Sequence, residues 1–430
     1  MFKIFLYDEF SPEDNAMLQA LYSRSPKSVE EHVEKVRASG SGKFMSTFYV
    51  GYGHSSIADC GSTTLFIEGL SILADKAVQD WPLYSGQETS TRYVNMAEQP
   101  VIDPLKTKES KAVIDNWMDF YKKAGSPLKE YLKNLYPIKE GQNEAIYDKA
   151  IAARSFDILR SFLPAGITTQ LSWHTNLRQA SDKLALLSHW PLAEVREIAR
   201  EMTNKLKDKY EHSFCHIPDA KQEDYRRDFM KQHTYFNPED TPEFRCQFNF
   251  DKTELEKYRD ITEKRPLKTS LPIFLGELGN ISFDFHLDYG SFRDIQRHRN
   301  GQCRMPLLTT KLGFHEWYLS QLSEELKKEA LELIEKQKDN IKKLDASSIV
   351  KQYYTALGFK VPCRVAYGLP ATVYVIELRS GKPVHPTLRT VAHKMHEAVT
   401  KELPFLKLHT DLEPSEWDIK RGTQDIVEKE

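Results

Sequence analysis

The sequence predicts an α+β protein in two halves, and three observations carry that reading: helical periodicity in three stretches, short strand-like runs between them, and a charged segment near the midpoint. The helical stretches lie at about 110–135, 180–209 and 314–343. In the last, Leu319, Leu322, Leu326, Leu331, Ile334, Ile341 and Leu344 recur on a charged background, the stripe of an amphipathic helix. Strand-like runs are expected at Thr47–Val50, Thr63–Ile67, Ile281–Leu287 and Ala371–Leu378, where β-branched and aromatic residues gather. Asp219–Glu243 is densely charged, poor in aliphatic residues and closed by two prolines, the profile of a linker. Domains are therefore expected at 1–220 and 244–430, joined by 221–243.

A chain of 430 residues with 40% hydrophobic and 28% charged residues has enough apolar side chain to bury two cores. Its formal net charge of −2 supplies no global positive field, so coating of DNA or RNA is not expected, although a local arginine cluster could hold one phosphate. The first residues lack a long apolar stretch, and runs such as Leu271–Leu275 are too short to span a bilayer, so a cytoplasmic protein without a membrane partner is expected. Cys60, Cys215, Cys246, Cys303 and Cys363 are odd in number and scattered, which fits reduced thiols. His212, Cys215 and His216 lie close together, but no second ligand pair is near and no metal is expected. No G-x-G-x-x-G follows a strand-like run, and no Walker-type loop is present.

A linker near the middle invites a search for repetition. Arg160 precedes Leu163-Pro164-Ala165 in the first half, and Arg364 precedes Leu369-Pro370-Ala371 in the second, a faint echo about half a chain apart.

Two constellations carry chemistry. Ser85-Gly86-Gln87-Glu88-Thr89-Ser90-Thr91-Arg92-Tyr93 puts a guanidinium, short hydroxyls and a carboxylate within one polar segment. Such a segment can wrap a phosphate, because the arginine fork matches its oxygens; it can equally be an exposed turn. Arg293-Asp294-Ile295-Gln296-Arg297-His298-Arg299 is a basic run closed by Asn300-Gly301. Its positive charges repel unless water or an anion neutralises them, so it is either a solvated face or an anion site.

Together these segments resemble the two ends of the single signature of flavin-dependent thymidylate synthases, R-H-R-x-x-S-x-[NQ]-E-x-S-x-R-Y. The first half keeps S-x-Q-E-x-S-x-R-Y at Ser85–Tyr93, with Asp80-Trp81-Pro82 in place of the basic triplet. The second half keeps Arg297-His298-Arg299, followed by Gln302, Arg304-Met305, Leu307 and Thr309-Thr310 where the other elements would be. Gly53-His54-Ser55-Ser56 resembles the family's G-H-x-[ST] segment, Phe66–Ser71 its next strand, Arg160-x-x-Leu163-Pro164 and Asn176-x-Arg178 its later elements, and Ala193–Arg196 the helix after them. Asp59-Cys60 and Leu187 depart from the pattern. The resemblance covers residues 40–205 well and 270–400 loosely, where Leu369-Pro370 and Arg389 are similar to late elements.

The resemblance implies two tandem copies of the family's fold, a mixed and antiparallel sheet with packed helices, forming a pseudo-dimer. It implies FAD as cofactor, NADPH and methylenetetrahydrofolate as co-substrates, and dUMP or a related uracil nucleotide as partner, in one composite site per chain. Arg297, Ser90 and Arg389 would be catalytic. Gln87, Glu88, Ser90, Thr91, Arg92 and Arg160 would hold the nucleotide. His54, Glu88, Arg297, His298, Arg299, Asn176 and Arg178 would line the flavin. A family of homotetramers implies a homodimer here. Asp294, three residues before Arg297 where the family has Gln, leaves open another uracil nucleotide as substrate, and a binding relative without turnover also remains open. Cys363 after Pro362 matches the nucleophile dipeptide of flavin-free synthases, but its apolar context reads as a buried structural thiol.

Overall fold

The structure, a computed structural model, describes residues 9–25, 27–92 and 94–414, so Tyr93 lies outside the described residues. It is a mixed α and β chain of many helices and small antiparallel sheets. In the first half β1 (Ser62–Ser71) leads into α1 (Ile72–Gln79), then α2 (Lys108–Leu135), α3 (Glu144–Leu159), a 3₁₀ turn (Arg160–Phe162), β2 (Thr168–Asn176), α4 (Leu177–Leu187) and α5 (Ala193–Lys209). In the second half β3 (Phe244–Phe250) precedes β4 (Gly279–Asp288) and α6 (Tyr289–Ile295). There follow β5 (Gln302–Cys303), α7 (Glu324–Lys343), α8 (Ser348–Lys351), a 3₁₀ turn (Gln352–Tyr354), β6 (Lys360–Gly368), α9 (Leu369–Ser380) and α10 (Pro386–Glu402). Apart from β5 and a short helix, Glu316–Ser320, which intervene in the second half, the order of strand, helix, long helix, helix, 3₁₀ turn, strand and two helices runs from β1 and again from β4.

Local chemistry sets these boundaries. Thr107 and Ser110 form a capping box that starts α2, each side chain accepting from the other's backbone N–H. Asn176, Asp288 and Ser323 cap α4, α6 and α7 by the same kind of side-chain acceptor.

The chain divides into two units. One holds the described residues through Leu70, Ala74–Glu88 and Gln170–Thr234; the other holds Ser71–Leu73, Thr89–Thr169 and the described residues from Tyr235 onward. In the second unit the sheet runs β3-β4-β6-β5, all antiparallel, with Phe285 opposite Cys363 and Asp284 opposite Arg364. Phe283, Phe285, Leu287, Val361, Cys363, Val365 and Tyr367 are fully buried on the two central strands. Each large apolar side chain removed from water there contributes roughly 1.5–3 kcal/mol.

Also in that unit, residues 161–166 pair with 353–358 by reciprocal bonds. Ala165 N–H donates to Thr355 O and Leu357 N–H to Leu163 O, both at 2.9 Å; Gly166 N–H donates to Tyr353 O at 2.9 Å and Gly358 N–H to Ser161 O at 2.8 Å. The pairing centres on the antiparallel bridge between Pro164 and Ala356. This is the isologous pattern of a two-fold contact, with each stretch making to the other the bonds it receives. A side chain at Gly166 would strike Tyr353 O at 2.9 Å, and one at Gly358 would strike the Phe314 ring at 2.3 Å, so both approaches need glycine.

Several expectations are corrected. Thr47–Val50 lies in a π-helical turn, Met45–Gly51, and Ala371–Leu378 lies inside α9. In α9 burial extends over Leu369, Ala371, Thr372, Val373, Val375 and Ile376, so no polar stripe betrayed a helix; Pro370 in the first turn was the available signal. The stretch 180–209 breaks before α5 near Pro191, and 314–343 breaks where Ser323 caps α7. Ala220–His233, expected as linker, is a helix capped by Asp219. The units also cross the expected boundaries at 220 and 244, because residues 89–169 pack with the back of the chain, a grouping composition along the sequence does not register. Arg364 pairs with Asp284 across β4 and β6 while Leu369-Pro370 opens α9, so the reciprocal bonds make Gln352, not Arg364, the counterpart of Arg160.

Candidate functional site

In the second unit α6 ends at Ile295, and the turn after it displays Arg297 exposed, His298 buried and Arg299 half-buried. Gly301 makes that turn possible: it has φ 150°, and a Cβ there would meet the Tyr367 ring at 2.3 Å. Arg379, in the last turn of α9, donates its Nε–H to His298 Nε2 at 2.7 Å and an NH2 hydrogen to Asp294 O at 2.6 Å. His298 thus accepts through Nε2. Burial, and then the charge of Arg379, bring its imidazole down to about 3, so it is neutral near pH 7.

The front of the chain contributes to the same unit. Arg92 donates Nε–H to Asp157 Oδ1 at 2.6 Å and NH2 to Oδ2 at 3.1 Å, and also NH2 to Pro383 O at 3.3 Å. Ser90 Oγ accepts from Arg92 N–H at 3.2 Å, and Thr91 Oγ1 accepts from Arg293 at 3.0 Å. Arg160 is 2% exposed and donates NH2 to Ser291 Oγ at 3.0 Å. Ser291 is held in turn by Thr387 Oγ1 at 2.8 Å and His385 Nδ1 at 3.3 Å, and its N–H donates to Asp288 Oδ2, which also accepts from the Tyr318 hydroxyl at 2.7 Å.

Asp294 ties these groups together electrostatically. Burial works to raise its carboxyl, but the charges of Arg92, Arg379, Arg160 and Arg297 hold it below the ordinary aspartate value. Four guanidinium groups thus converge on one carboxylate, a concentration of positive charge that attracts anions. A cavity of about 610 Å³ adjoins it, sharing Arg379 and Pro383 and walled by Val373, Tyr374, Leu378 and Val384. That volume lies in the range of small-molecule sites, an apolar wall with a few convergent polar groups.

Other expected residues sit differently. Arg389 is buried and donates to the carbonyls of Ser380, Asp411 and Glu413 and to the Asp411 carboxylate, which ties down the segment after α10. Helix α10 turns that position inward. Cys363 is fully buried, with its thiol pushed well up by burial, as a structural thiol should be.

The remaining expected residues belong to the first unit. Gln87 is exposed, and its N–H donates to Ser172 Oγ at 3.0 Å. Gly86 beside it is forced, since a Cβ there would lie 1.9 Å from Ser172 O. The Glu88 carboxylate, 3% exposed, forms an ion pair with Lys76 and accepts a hydrogen bond from Gln79 Nε2, each at 2.6 Å. His54 Nδ1 lies 3.4 Å from Arg24, Asn176 caps α4, and Arg178 donates to Asp59 at 2.7 Å. Asp157, Ser291, Arg379 and His385 were not singled out in the sequence. Arg379 is a lone arginine at the end of an apolar helix, and the others carry no local motif; only the tertiary fold brings them to the cluster.

Residues 6–210 match the family model described as thymidylate synthase complementing protein. A UPF0159 protein of Chlamydia muridarum is 25% identical over 443 residues, covering 88% of this chain and 82% of that protein. A UPF0159 protein of Thermoplasma acidophilum is 23% identical over 475 residues, covering 91% and 94%. These relatives therefore span both halves of the chain. A crystal structure of the flavin dependent thymidylate synthase from Helicobacter pylori, complexed with FAD and dUMP, aligns with 47% of this chain and 94% of its own at 17% identity and a TM-score of 0.29.

Proposed function

We propose, from the match of residues 6–210 to the thymidylate synthase complementing protein family model, that the chain is an FAD-dependent thymidylate synthase-like enzyme, methylating dUMP at C5 with methylenetetrahydrofolate and NADPH. It arose as a tandem duplication and keeps one composite site per chain. One observation carries the reading: Arg92 and Arg160 from the front segment and Arg297 from the back all act on Asp294 in a single unit. The repeated element order and the reciprocal bonds between 161–166 and 353–358 support the duplication. So do two bridges, Ser85 with His174 in one sheet and Gln302 with Ala366 in the other, in the register that aligns Ser85 with Gln302.

In this reading Arg92, with Ser90 and the adjacent backbone, holds the nucleotide phosphate by charge-assisted bonds. Asp157 fixes the plane of the Arg92 fork, and Ser291 fixes that of Arg160. Arg297 lies nearest solvent and stabilises negative charge developing on the pyrimidine, as preorganised donors do. The donor set fits a phosphorylated, ring-bearing cofactor: the converging guanidinium groups suit phosphates, and the walls around Tyr374 and Val373 suit a flat ring. When bound, FAD supplies the hydride chemistry. His298 and Arg299 would help hold it, and neutral His298 would add no charge there. Two chains assemble as a homodimer.

Asp294 favours a second reading, in which the same chemistry acts on another uracil nucleotide, because a carboxylate stands where the resemblance expects an amide. The test is to purify the chain, look for a bound yellow chromophore, and assay conversion of dUMP, UMP and their 5-substituted forms. Turnover of dUMP supports the first reading and turnover of another uracil nucleotide the second. A colourless protein that binds no uracil nucleotide and converts none sinks both.

A further inference from the structure

The first unit contains a groove of about 1120 Å³ between the helices Pro12–Tyr22 and Val29–Ser39 and the π-helical turn Met45–Gly51. No residue of the arginine cluster lines it. We propose that this groove is a second ligand site, taking a flat aromatic ring system that carries carboxylate or phosphate charge.

Its wall is aromatic. Phe44, Phe48 and Tyr52 recur every fourth residue, with ring centroids 4.8 and 5.7 Å apart, and the His54 ring stacks on Phe48 at 6.2 Å. Phe44 packs against the core cluster of Met17, Leu18, Val33 and Val36, whereas Phe48 lines the groove half-buried and Tyr52 is exposed, so the outer two rings of the ladder present open faces. Exposed ring faces of this kind stack on planar ligands. The π-helical turn between Phe44 and Tyr52 is itself informative: such turns give up regular α-helical bonding and are frequent at functional positions.

Its rim is cationic. Arg24, Lys27, Lys35 and Lys43 line the groove with Glu31 and Glu34. Lys27 is neutralised by Glu31 at 3.0 Å, whereas neither Lys35 nor Lys43 has a carboxylate within ion-pair distance among the described residues. The balance is positive and selects an anion. A third, independent feature is His32, which lines the groove, is 7% exposed, and has an Nε2 with no hydrogen-bond partner among the described residues. A buried ring nitrogen left unpaired is costly, and a polar edge of a bound ring would satisfy it.

Two sources share this ligand chemistry, a dinucleotide and a pterin with a glutamate tail. The choice of probes rests on the proposed function, whose co-substrates are of these two kinds. Calorimetric titration of the full chain with NADPH and with tetrahydrofolate triglutamate tests the site, using Phe48→Ala and the double variant Lys35→Glu/Lys43→Glu. One probe is expected to bind, and both variants are expected to weaken it roughly tenfold or more. Loss for NADPH assigns the dinucleotide, and loss for the folate assigns the pterin. The charge reversals sit on exposed side chains, so they remain informative if Phe48→Ala fails to fold. Absence of binding by both probes, or binding that the charge reversals leave unchanged, overturns the site. Binding of dUMP, measured on the same samples, is expected to be equal in all three proteins; its absence from the wild-type chain would instead count against the proposed function.

Discussion

Arg92 grips Asp157 with both arms of its fork across 65 positions of sequence, Nε to Oδ1 at 2.6 Å and NH2 to Oδ2 at 3.1 Å. The Asp157 side chain is wholly buried and that of Arg92 is 16% exposed. Removing one member of such a pair strands the other, so Asp157→Ala is expected to cost roughly 3 kcal/mol, the low end for a buried pair because Arg92 still reaches some water. Asp157→Asn keeps an acceptor and should cost less. Urea denaturation of the three proteins measures this, and a loss below about 0.5 kcal/mol for the alanine variant would show that the pair does not hold the fold.

Acid should weaken the fold partly through His298. Its folded value of about 3 lies below the ordinary 6.5, so as pH falls the unfolded chain takes up this proton first. The contribution to stability is complete above 6.5 and drains away as pH falls toward 3, at up to about 1.4 kcal/mol per pH unit. His298→Gln keeps an oxygen that accepts from Arg379 but does not titrate. Denaturation at about pH 7.5 and about pH 5 should therefore show a larger acid loss for the wild-type chain than for the variant. Equal losses would mean that His298 takes up its proton normally in the fold.

Arg297 and Arg389 should separate binding from folding. The Arg297 side chain is 44% exposed, so Arg297→Ala should change stability by no more than about 0.5 kcal/mol while lowering nucleotide affinity roughly tenfold or more. Arg389→Ala strips a partner from the carbonyl of buried Ser380 and releases the segment at Asp411 and Glu413, and should cost about 1–3 kcal/mol in unfolding. Arg92→Ala should weaken nucleotide binding as Arg297→Ala does. If dUMP titration finds only one of these two positions sensitive, the composite site fails.

How far the sequence spoke depended on how local each signal was. β1 and β4 were legible from their runs at Thr63–Ile67 and Ile281–Leu287, and α2 from its periodicity, because alternation and amphipathic spacing are written in neighbouring residues. Helix α9 was not, because burial around most of its circumference erased the spacing. Arg92, Arg160 and Arg297 could be singled out through motifs, whereas Asp157, Ser291 and Arg379 reach the cluster only by folding. The inward turn of Arg389 was equally invisible, since nothing in Thr387–Val391 reports that Asp411 and Glu413 will fold back upon it.

The thiol of Cys363 offers a direct choice between two chemistries for the same overall reaction. A cysteine nucleophile needs a thiolate with a path to its substrate. Cys363 is fully buried on β6, opposite Phe285, and burial pushes its thiol well above the ordinary value, so its thiolate is scarce at neutral pH. Cys363→Ala should therefore keep its rate of uracil-nucleotide turnover within about twofold, while losing roughly 1–2 kcal/mol of stability to the small cavity left behind. Rate and urea midpoint measured on one preparation distinguish the cases: a folded variant with its turnover abolished would restore Cys363 as the nucleophile and remove the need for arginine-stabilised, flavin-dependent chemistry at this site.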